Sequence, residues 1–300
     1  MSDDQLARAN MRGIGFMLVS MMFYIVCDAL TKSAGATLPV GEVIAIRSTV
    51  AALLLAPFVS WRGVPAYLKQ LWSPAMIVRN VGDVGVTILF CITLVNVPIA
   101  NATSIMQTSP LAITAAAALF LKERVGWRRW TATLVGFLGA LLIIRPGNAD
   151  FTWWYLPAIV SILFVVMRDL GTRFVDKTVP TVPVTLWTFL LTVAGASVFM
   201  APWEGWRTPD SLEFAKCMGA GFFVTFGASF LVMSLRSGGE ISTIVAFRYS
   251  IVLWSIGIGW LVWGQLPHPT SVLGIIIVVG AGLYTVHRER VRRMEAVRKP

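Results

Sequence analysis

The chain has 300 residues, of which 56% are hydrophobic and only 13% are charged, with a mean hydropathy of +0.74. Soluble proteins carry about 25% charged residues, so these values exclude an ordinary soluble protein, a disordered chain and a disulfide-stapled secreted domain. In a soluble protein the net charge of +10 would suggest a nucleic-acid partner. Because the apolar residues fall in long runs, the composition instead predicts an integral protein of the lipid bilayer that binds no nucleic acid.

A helix needs about 20 mostly apolar residues to cross the hydrocarbon core of a bilayer. In chain order such runs predict an all-α fold with ten membrane-spanning helices. The predicted spans are 13–31, 41–60, 76–96, 99–121, 128–145, 153–172, 182–201, 214–235, 240–262 and 270–287. The connectors are short, so no soluble domain is expected beside them.

Lys and Arg are enriched in loops that stay on the cytoplasmic side of a membrane. With a cytoplasmic N-terminus, seventeen positive residues lie in cytoplasmic segments or helix ends, and four lie on the opposite side. The distribution predicts a multi-pass protein of the bacterial inner membrane with both termini in the cytoplasm. The first run carries Asp28 and Lys32 and lacks a small-residue cleavage site, which indicates a retained helix rather than a signal peptide.

The chain resembles itself when it is shifted by 141 residues. Both halves then read Ser-x₂-Phe-x₄-Asp-x₃-(Lys/Arg)-x₆-Pro, with Asp28 and Asp169 in the same place. A shift of 139 aligns Thr103-Ser104-Ile105 with Ser242-Thr243-Ile244. The self-similarity predicts a first repeat over residues 1–148 and a second over 149–300 that ends in a short basic tail.

Each predicted repeat crosses the membrane five times, and five is an odd number. The second repeat therefore enters from the opposite side, which gives the two repeats inverted topology. Inverted repeats recur in secondary transporters, which bind their substrates near the midplane between the repeats.

Three stretches of the first half form a recognisable pattern. They are Asn101-Ala-Thr-Ser with Pro110, Leu121-Lys-Glu-Arg-Val-Gly-Trp-Arg-Arg-Trp, and Gly136-Phe-Leu-Gly-Ala-Leu-Leu-Ile-Ile-Arg-Pro-Gly. The pattern resembles the EamA domain of the drug/metabolite transporter superfamily, and the resemblance extends over nearly the whole chain. It implies ten helices, two EamA repeats and secondary transport of a small organic metabolite. The second half departs from it, because Gly264-Gln265 stands where the family usually has a Gly-Glu pair. We therefore interpret Glu123 as a partner of the neighbouring basic residues.

Charged residues inside spans are expensive, at about 2.5–3.5 kcal/mol each near the bilayer centre, so they must pair or face water. Arg79 and Asp83 are four residues apart and are predicted to pair on one helix face. The same spacing recurs in Asp28 with Lys32 and in Asp169 with Arg173. Structural pairing is the favoured interpretation of these last two pairs, and coupling or gating by Asp28 and Asp169 is the alternative. For Arg79 and Asp83, structural pairing and substrate binding are equally favoured.

Arg47 and Arg248 have no acidic residue one turn away. Each needs a partner from another helix, such as Glu42, Asp83 or Glu240, or else backbone carbonyls, water or an anionic substrate group. For Arg47 the family resemblance implies a structural or gating role. Arg248 lies beside Tyr249 and Ser250, which offer stacking and hydrogen bonds. Both a cavity-facing role and a cross-helix pair are compatible with its sequence context.

Apart from Tyr249, the uncharged candidates lie in the fourth and seventh spans. Polar residues gather in the fourth span before Pro110, which interrupts helical hydrogen bonding; they either line a cavity or pack helices together. Trp187 lies inside the seventh span, where it is suited to stacking on a flat ligand. The predicted substrate-binding residues are Arg47, Arg79, Asp83, Asn101, Gln107, Thr108, Trp187, Arg248 and Tyr249.

The chain lacks a phosphate-binding loop and catalytic motifs, and its two histidines have no metal-ligand spacing. We therefore expect a transporter rather than an enzyme, without cofactor or metal, acting as a monomer or homodimer by alternating access. The first expected substrate is a vitamin such as riboflavin, because the pattern resembles riboflavin-transporting members of the family. Export of amino acids or related anionic metabolites is the alternative, and a non-transporting membrane subunit is a more distant one.

Overall fold

The computed structural model describes residues 3–59, 70–120, 127–146, 151–175, 180–238 and 241–298. Within these ranges every element of regular secondary structure is a helix. The α-helices are α1 (Asp3–Gly35), α2 (Val40–Leu55), α3 (Pro74–Asn96), α4 (Ile99–Met106), α5 (Ser109–Phe120), α6 (Trp127–Ile144), α7 (Leu156–Arg173), α8 (Thr181–Phe199), α9 (Ala201–Glu204), α10 (Ser211–Leu235), α11 (Ile241–Ala246), α12 (Ser250–Trp263) and α13 (Pro269–Arg298). Glu123 and Glu240, which carried sequence predictions, lie outside the described residues.

Seven helical stretches of the described chain are long and apolar enough to cross a membrane. They are Ala7–Gly35, Val40–Phe58, Pro74–Asn96, Trp153–Thr172, Ser211–Leu235, Thr243–Trp263 and Pro269–His287. Two shorter apolar helices, Trp130–Ile144 and Val182–Val198, lie within α6 and α8. The prediction of an all-α, multi-pass membrane fold is confirmed, while the count of ten spans stays a prediction.

Local sequence signals explain several helix ends. Ser73 precedes α3, where its Oγ accepts a hydrogen bond from the Met76 N–H at 3.3 Å, and Pro74 occupies the first helical position. Before α10, Asp210 Oδ1 accepts from the Glu213 N–H, and Glu213 Oε2 accepts from the Asp210 N–H. This reciprocal pair is a capping box, which fixes the start of the helix.

The fourth and ninth predicted spans differ from the prediction because both are interrupted. The fourth divides into α4 and α5 at Gln107 and Thr108, where the Thr108 N–H donates to the Ile105 carbonyl three residues back. Pro110 explains this interruption, because it has no N–H to continue the helical pattern. The ninth divides into α11 and α12 at a 3₁₀ turn, Phe247–Tyr249, which contains no proline.

The chain forms two compact units. The first unit comprises Met1–Ile25, Pro98–Trp153 and Phe226–Pro300, and the second comprises Val26–Val97 and Trp154–Thr225. Each unit thus takes segments from both halves of the sequence, and neither coincides with a predicted repeat. The repeat boundaries at 1–148 and 149–300 stay a prediction.

Glycines set the closest helix crossings inside each unit. In the second unit α3 packs against α7, and a Cβ on Gly82 would lie 2.6 Å from the backbone nitrogen of Arg168. In the first unit α6 packs against α13, and a Cβ on Gly274 would lie 2.5 Å from the Gly139 carbonyl oxygen. Small residues permit such close backbone contact, which is how membrane helices pack without a hydrophobic driving force.

Candidate functional site

One charge cluster of the second unit joins α3 to α7. Arg168 donates from Nη1 to Asp83 Oδ1 at 3.3 Å and from Nε to Asp169 Oδ1 at 2.8 Å. Arg79 donates to Asn80 Oδ1 at 2.9 Å and to Thr188 Oγ1 at 2.7 Å.

The predicted direct pair of Arg79 with Asp83 is therefore replaced by a pair between two helices. The close crossing at Gly82 brings the α7 backbone beside α3, which puts Arg168 within reach of the Asp83 carboxylate. Asp169 likewise takes Arg168 as its partner; the side chain of Arg173 lies outside the described part of the chain.

A second polar cluster of this unit surrounds Arg47 on α2. Its Nη1 donates to Thr31 Oγ1 at 3.0 Å and contacts Cys27 Sγ at 3.8 Å, both on α1. Asp28, which is also on α1, lies near the Arg47 guanidinium. Glu42, which was considered as a partner for Arg47, accepts instead from the backbone N–H of Arg207 at 3.2 Å.

Lys32 on α1 caps the end of α3. Its ammonium donates to the carbonyls of Leu94, Val95 and Val97 at 2.8, 3.2 and 2.7 Å. An ammonium has three N–H groups, so these carbonyls match its donors one for one. The side chain is buried, and this arrangement satisfies acceptors that the last turn of a helix leaves open.

The two helix interruptions lie in the first unit, where α4 packs against α12. Asn101, Thr103 and Thr108 are buried on or just after α4, and Gln107 is half-buried at its end. Thr108 Oγ1 donates to the Ile105 carbonyl at 2.8 Å. Thr103 Oγ1 is buried, and among the described residues it has no hydrogen-bond partner.

The 3₁₀ turn of the ninth span presents further polar groups. Arg248 is exposed and, within the described ranges, makes no hydrogen bond or ion pair. Tyr249 is buried, and its hydroxyl lies against Gly282 of α13. Neither this hydroxyl nor Ser250 Oγ meets a hydrogen-bond partner among the residues described. Because buried polar groups normally have partners, such groups beside two interrupted helices mark a candidate binding site.

The structure thus divides the predicted site residues between the two units. Asn101, Gln107, Thr108, Arg248 and Tyr249 belong to the first unit. Arg47, Arg79, Asp83, Trp187, Asp28 and Asp169 belong to the second. Trp187 packs with the apolar side chains of Leu71, Met76 and Val184, and its ring meets that of Trp72 edge-on, with 5.4 Å between centroids.

The sequence did not predict two polar residues of the first-unit site or the capping of α3 by Lys32. Thr103 and Ser250 were left out of the predicted substrate-binding residues, although each is a polar residue close to a helix interruption. The capping role of Lys32 had no signal in the sequence, because its acceptors lie more than 60 residues away. In the described part of the chain, no three His, Cys, Asp or Glu residues are grouped so that they could hold a metal ion.

Comparison with known proteins shows what this chain is similar to. Residues 11–145 match the EamA-like transporter family. The chain is 26% identical to the pseudopaline exporter of Pseudomonas aeruginosa over 272 residues, covering 90% of this chain and 94% of the relative. It is 26% identical to the S-adenosylmethionine uptake transporter of Rickettsia prowazekii over 289 residues, covering 94% and 95%. It is 23% identical to the riboflavin transporter of Vibrio cholerae over 273 residues, covering 90% and 91%.

A solved crystal structure shares the fold, with a TM-score of 0.60 and 19% identity over 94% of this chain and 98% of the other. These similarities agree with the helical membrane architecture and with the motifs around Pro110 and Gly136. The first half of the chain thus matches the EamA-like transporter family, and the chain as a whole is similar to bacterial transporters of small molecules.

Proposed function

We propose that the protein is a secondary transporter that moves a small organic metabolite by alternating access and binds it at the interruptions of the fourth and ninth spans. One observation carries the proposal. The shift of 139 residues that aligns Thr103-Ser104-Ile105 with Ser242-Thr243-Ile244 also aligns Thr108, at the first interruption, with Phe247, at the second. Matched discontinuous helices are typical of transporter substrate sites, because their ends offer polar groups at membrane depth.

Helix pairing supports the inverted repeats that this mechanism needs. Three packed helix pairs join spans that are equivalent under the predicted repeat: α2 with α8, α4 of the fourth span with α12 of the ninth, and α6 with α13. Equivalent helices pack on each other when a pseudo-two-fold axis passes between them. The pair of α3 with α7 has its expected counterpart in α1 with α10, where Ser20 Oγ donates to the Gly227 carbonyl at 2.8 Å.

The proposal includes the location and orientation of the protein. The similar transporters named above are bacterial, and the positive residues concentrate on one set of loops. We place the protein in the bacterial inner membrane with both termini in the cytoplasm.

Transport by the purified protein in liposomes is the direct test of the proposal. The panel contains riboflavin, S-adenosylmethionine and the common L-amino acids, each measured with and without a pH gradient and against protein-free liposomes. Uptake of riboflavin alone would support the vitamin that the family resemblance suggests. Uptake of an amino acid or of S-adenosylmethionine would support the alternative class, and dependence on the pH gradient would indicate proton coupling. No uptake above that of protein-free liposomes would contradict the proposal.

Replacing Gly282 with alanine is expected to distort the candidate site without adding or removing a polar group. A Cβ at this position would overlap the hydroxyl of Tyr249, so Gly282→Ala must displace the Tyr249 side chain. Displacing a binding group by about 1 Å is enough to lower transport about tenfold or more.

The matched control is Gly280→Ala on the same helix, because a Cβ there would lie within 4 Å of no other packed group among the described residues. Initial rates of uptake of the transported panel compound, at equal protein per liposome, distinguish the two variants. Equal rates for both would remove Tyr249 from the site.

A further inference from the structure

We infer that the transported metabolite carries a carboxylate, which Arg248 binds. The inference rests on the proposed function, because it assigns a substrate class to the site at the helix interruptions. Arg248 differs from the other three arginines inside spans in its side-chain partners. Arg47 donates to Thr31, Arg79 to Asn80 and Thr188, and Arg168 to Asp83 and Asp169. Among the described residues, Arg248 alone of these four has no such partner.

The charge of Arg248 favours water over lipid as its surroundings. It lies seven residues after the start of α11, which places it about 10 Å along the helix axis at 1.5 Å per residue. Arginine stays protonated in proteins, and an unpaired guanidinium is costly in hydrocarbon. Since the side chain is exposed, it faces a wet surface from which an anion can reach it.

Arg248 and its neighbours favour a carboxylate, which can accept several hydrogen bonds, over an anion that offers charge alone. Arginine presents a planar fork that matches the two oxygens of a carboxylate. The Tyr249 hydroxyl is buried, with 6% of the residue exposed, and its lack of a partner within the described ranges adds a hydrogen-bonding group at the same turn.

Two aromatic side chains indicate which chemical groups accompany the carboxylate of the substrate. Phe247 and Trp254 are seven residues apart, a spacing that returns to one helix face, and both are exposed at 38% and 37%. Phe247 directly precedes Arg248 in the chain, so its ring offers apolar surface at the same turn. The site therefore fits a carboxylate-bearing metabolite with a flat or apolar portion, in preference to a neutral vitamin.

Uptake into proteoliposomes tests this inference with four probes. Two carry a carboxylate, S-adenosylmethionine and L-phenylalanine, and two do not, riboflavin and the methyl ester of L-phenylalanine. The variants are Arg248→Gln and Arg248→Lys, and Arg236→Gln is the control, since Arg236 is an exposed arginine outside the site. We expect the wild type to take up a carboxylate probe, Arg248→Gln to lower that rate about tenfold or more, and Arg248→Lys to restore only part of it.

The outcomes distinguish a failure of the carboxylate assignment from a failure of the proposed site. Transport of neither carboxylate probe by the wild type would overturn the inference, as would a carboxylate uptake that Arg248→Gln leaves unchanged. If Arg248→Gln retains uptake while Gly282→Ala loses it, the site at the interruptions stands and only the carboxylate assignment fails. If both variants transport at the wild-type rate, the proposed site itself fails.

Discussion

Replacing Arg168 with Gln is expected to lower the free energy of unfolding by about 3 kcal/mol. The substitution leaves Asp83 and Asp169 inside the membrane helices without their shared counter-ion. Breaking a buried ion pair by removing one partner costs about 3–5 kcal/mol, and the low end applies because the Arg168 and Asp83 side chains are each 26% exposed. Thermal unfolding in detergent, followed by tryptophan fluorescence, measures the loss.

A second substitution tests whether the loss arises from the unpaired carboxylates. Adding Asp83→Asn to Arg168→Gln removes one uncompensated charge, so the double variant is expected to recover part of the stability. The interaction energy from this double-mutant cycle isolates the pair from general effects of the substitution. Arg168→Gln within about 0.5 kcal/mol of the wild type would show that the cluster contributes little.

Lys32→Met is expected to have an effect of similar size, about 3 kcal/mol, for a different physical reason. The three carbonyls at the end of α3 lose their donors, and buried acceptors without partners cost free energy. Methionine keeps much of the side-chain volume, so the change reports on hydrogen bonding more than on packing. The same unfolding measurement applies.

Lys216→Met is the matched control for this substitution. Lys216 lies in α10 of the same unit and is half-buried, and within the described part of the chain it makes no hydrogen bond through its side chain. Lys32→Arg should retain part of the stability, because it keeps the charge and several donors. Equal losses for Lys32→Met and Lys216→Met would contradict the capping role.

The sequence predicted the helices well because bilayer thickness fixes the length of an apolar span. The predicted spans 76–96 and 214–235 correspond to α3 and α10, whose observed bounds differ by two or three residues at the N-terminal end. Partners between helices were not predictable in the same way. Arg168 reaches Asp83 because α3 and α7 cross closely at Gly82, and a crossing point is a tertiary property that no local pattern encodes.

The candidate site was predictable in part. Pro110 signalled the first interruption, and Asn101, Gln107 and Thr108 were predicted beside it. The second interruption lies at Phe247–Tyr249, where neither proline nor glycine marks a break, so only alignment with the first repeat relates the two. The sequence showed that Arg248 lacks a nearby acid on its own helix, but the lack of a partner from other described helices required the structure.

Labelling of single cysteines from both sides of the membrane tests alternating access at the helix interruptions most directly. Gln107→Cys and Phe247→Cys are introduced singly after the native cysteines, Cys27, Cys91 and Cys217, are replaced by alanine. Ile276→Cys on α13 is the control, since this exposed apolar residue lies within a membrane span and is expected to face lipid. A membrane-impermeant maleimide is applied to right-side-out and inside-out vesicles. We predict that Gln107→Cys and Phe247→Cys react from both faces, more slowly with a transported substrate, while Ile276→Cys does not react; reaction of both site positions from one face only would contradict the proposed mechanism.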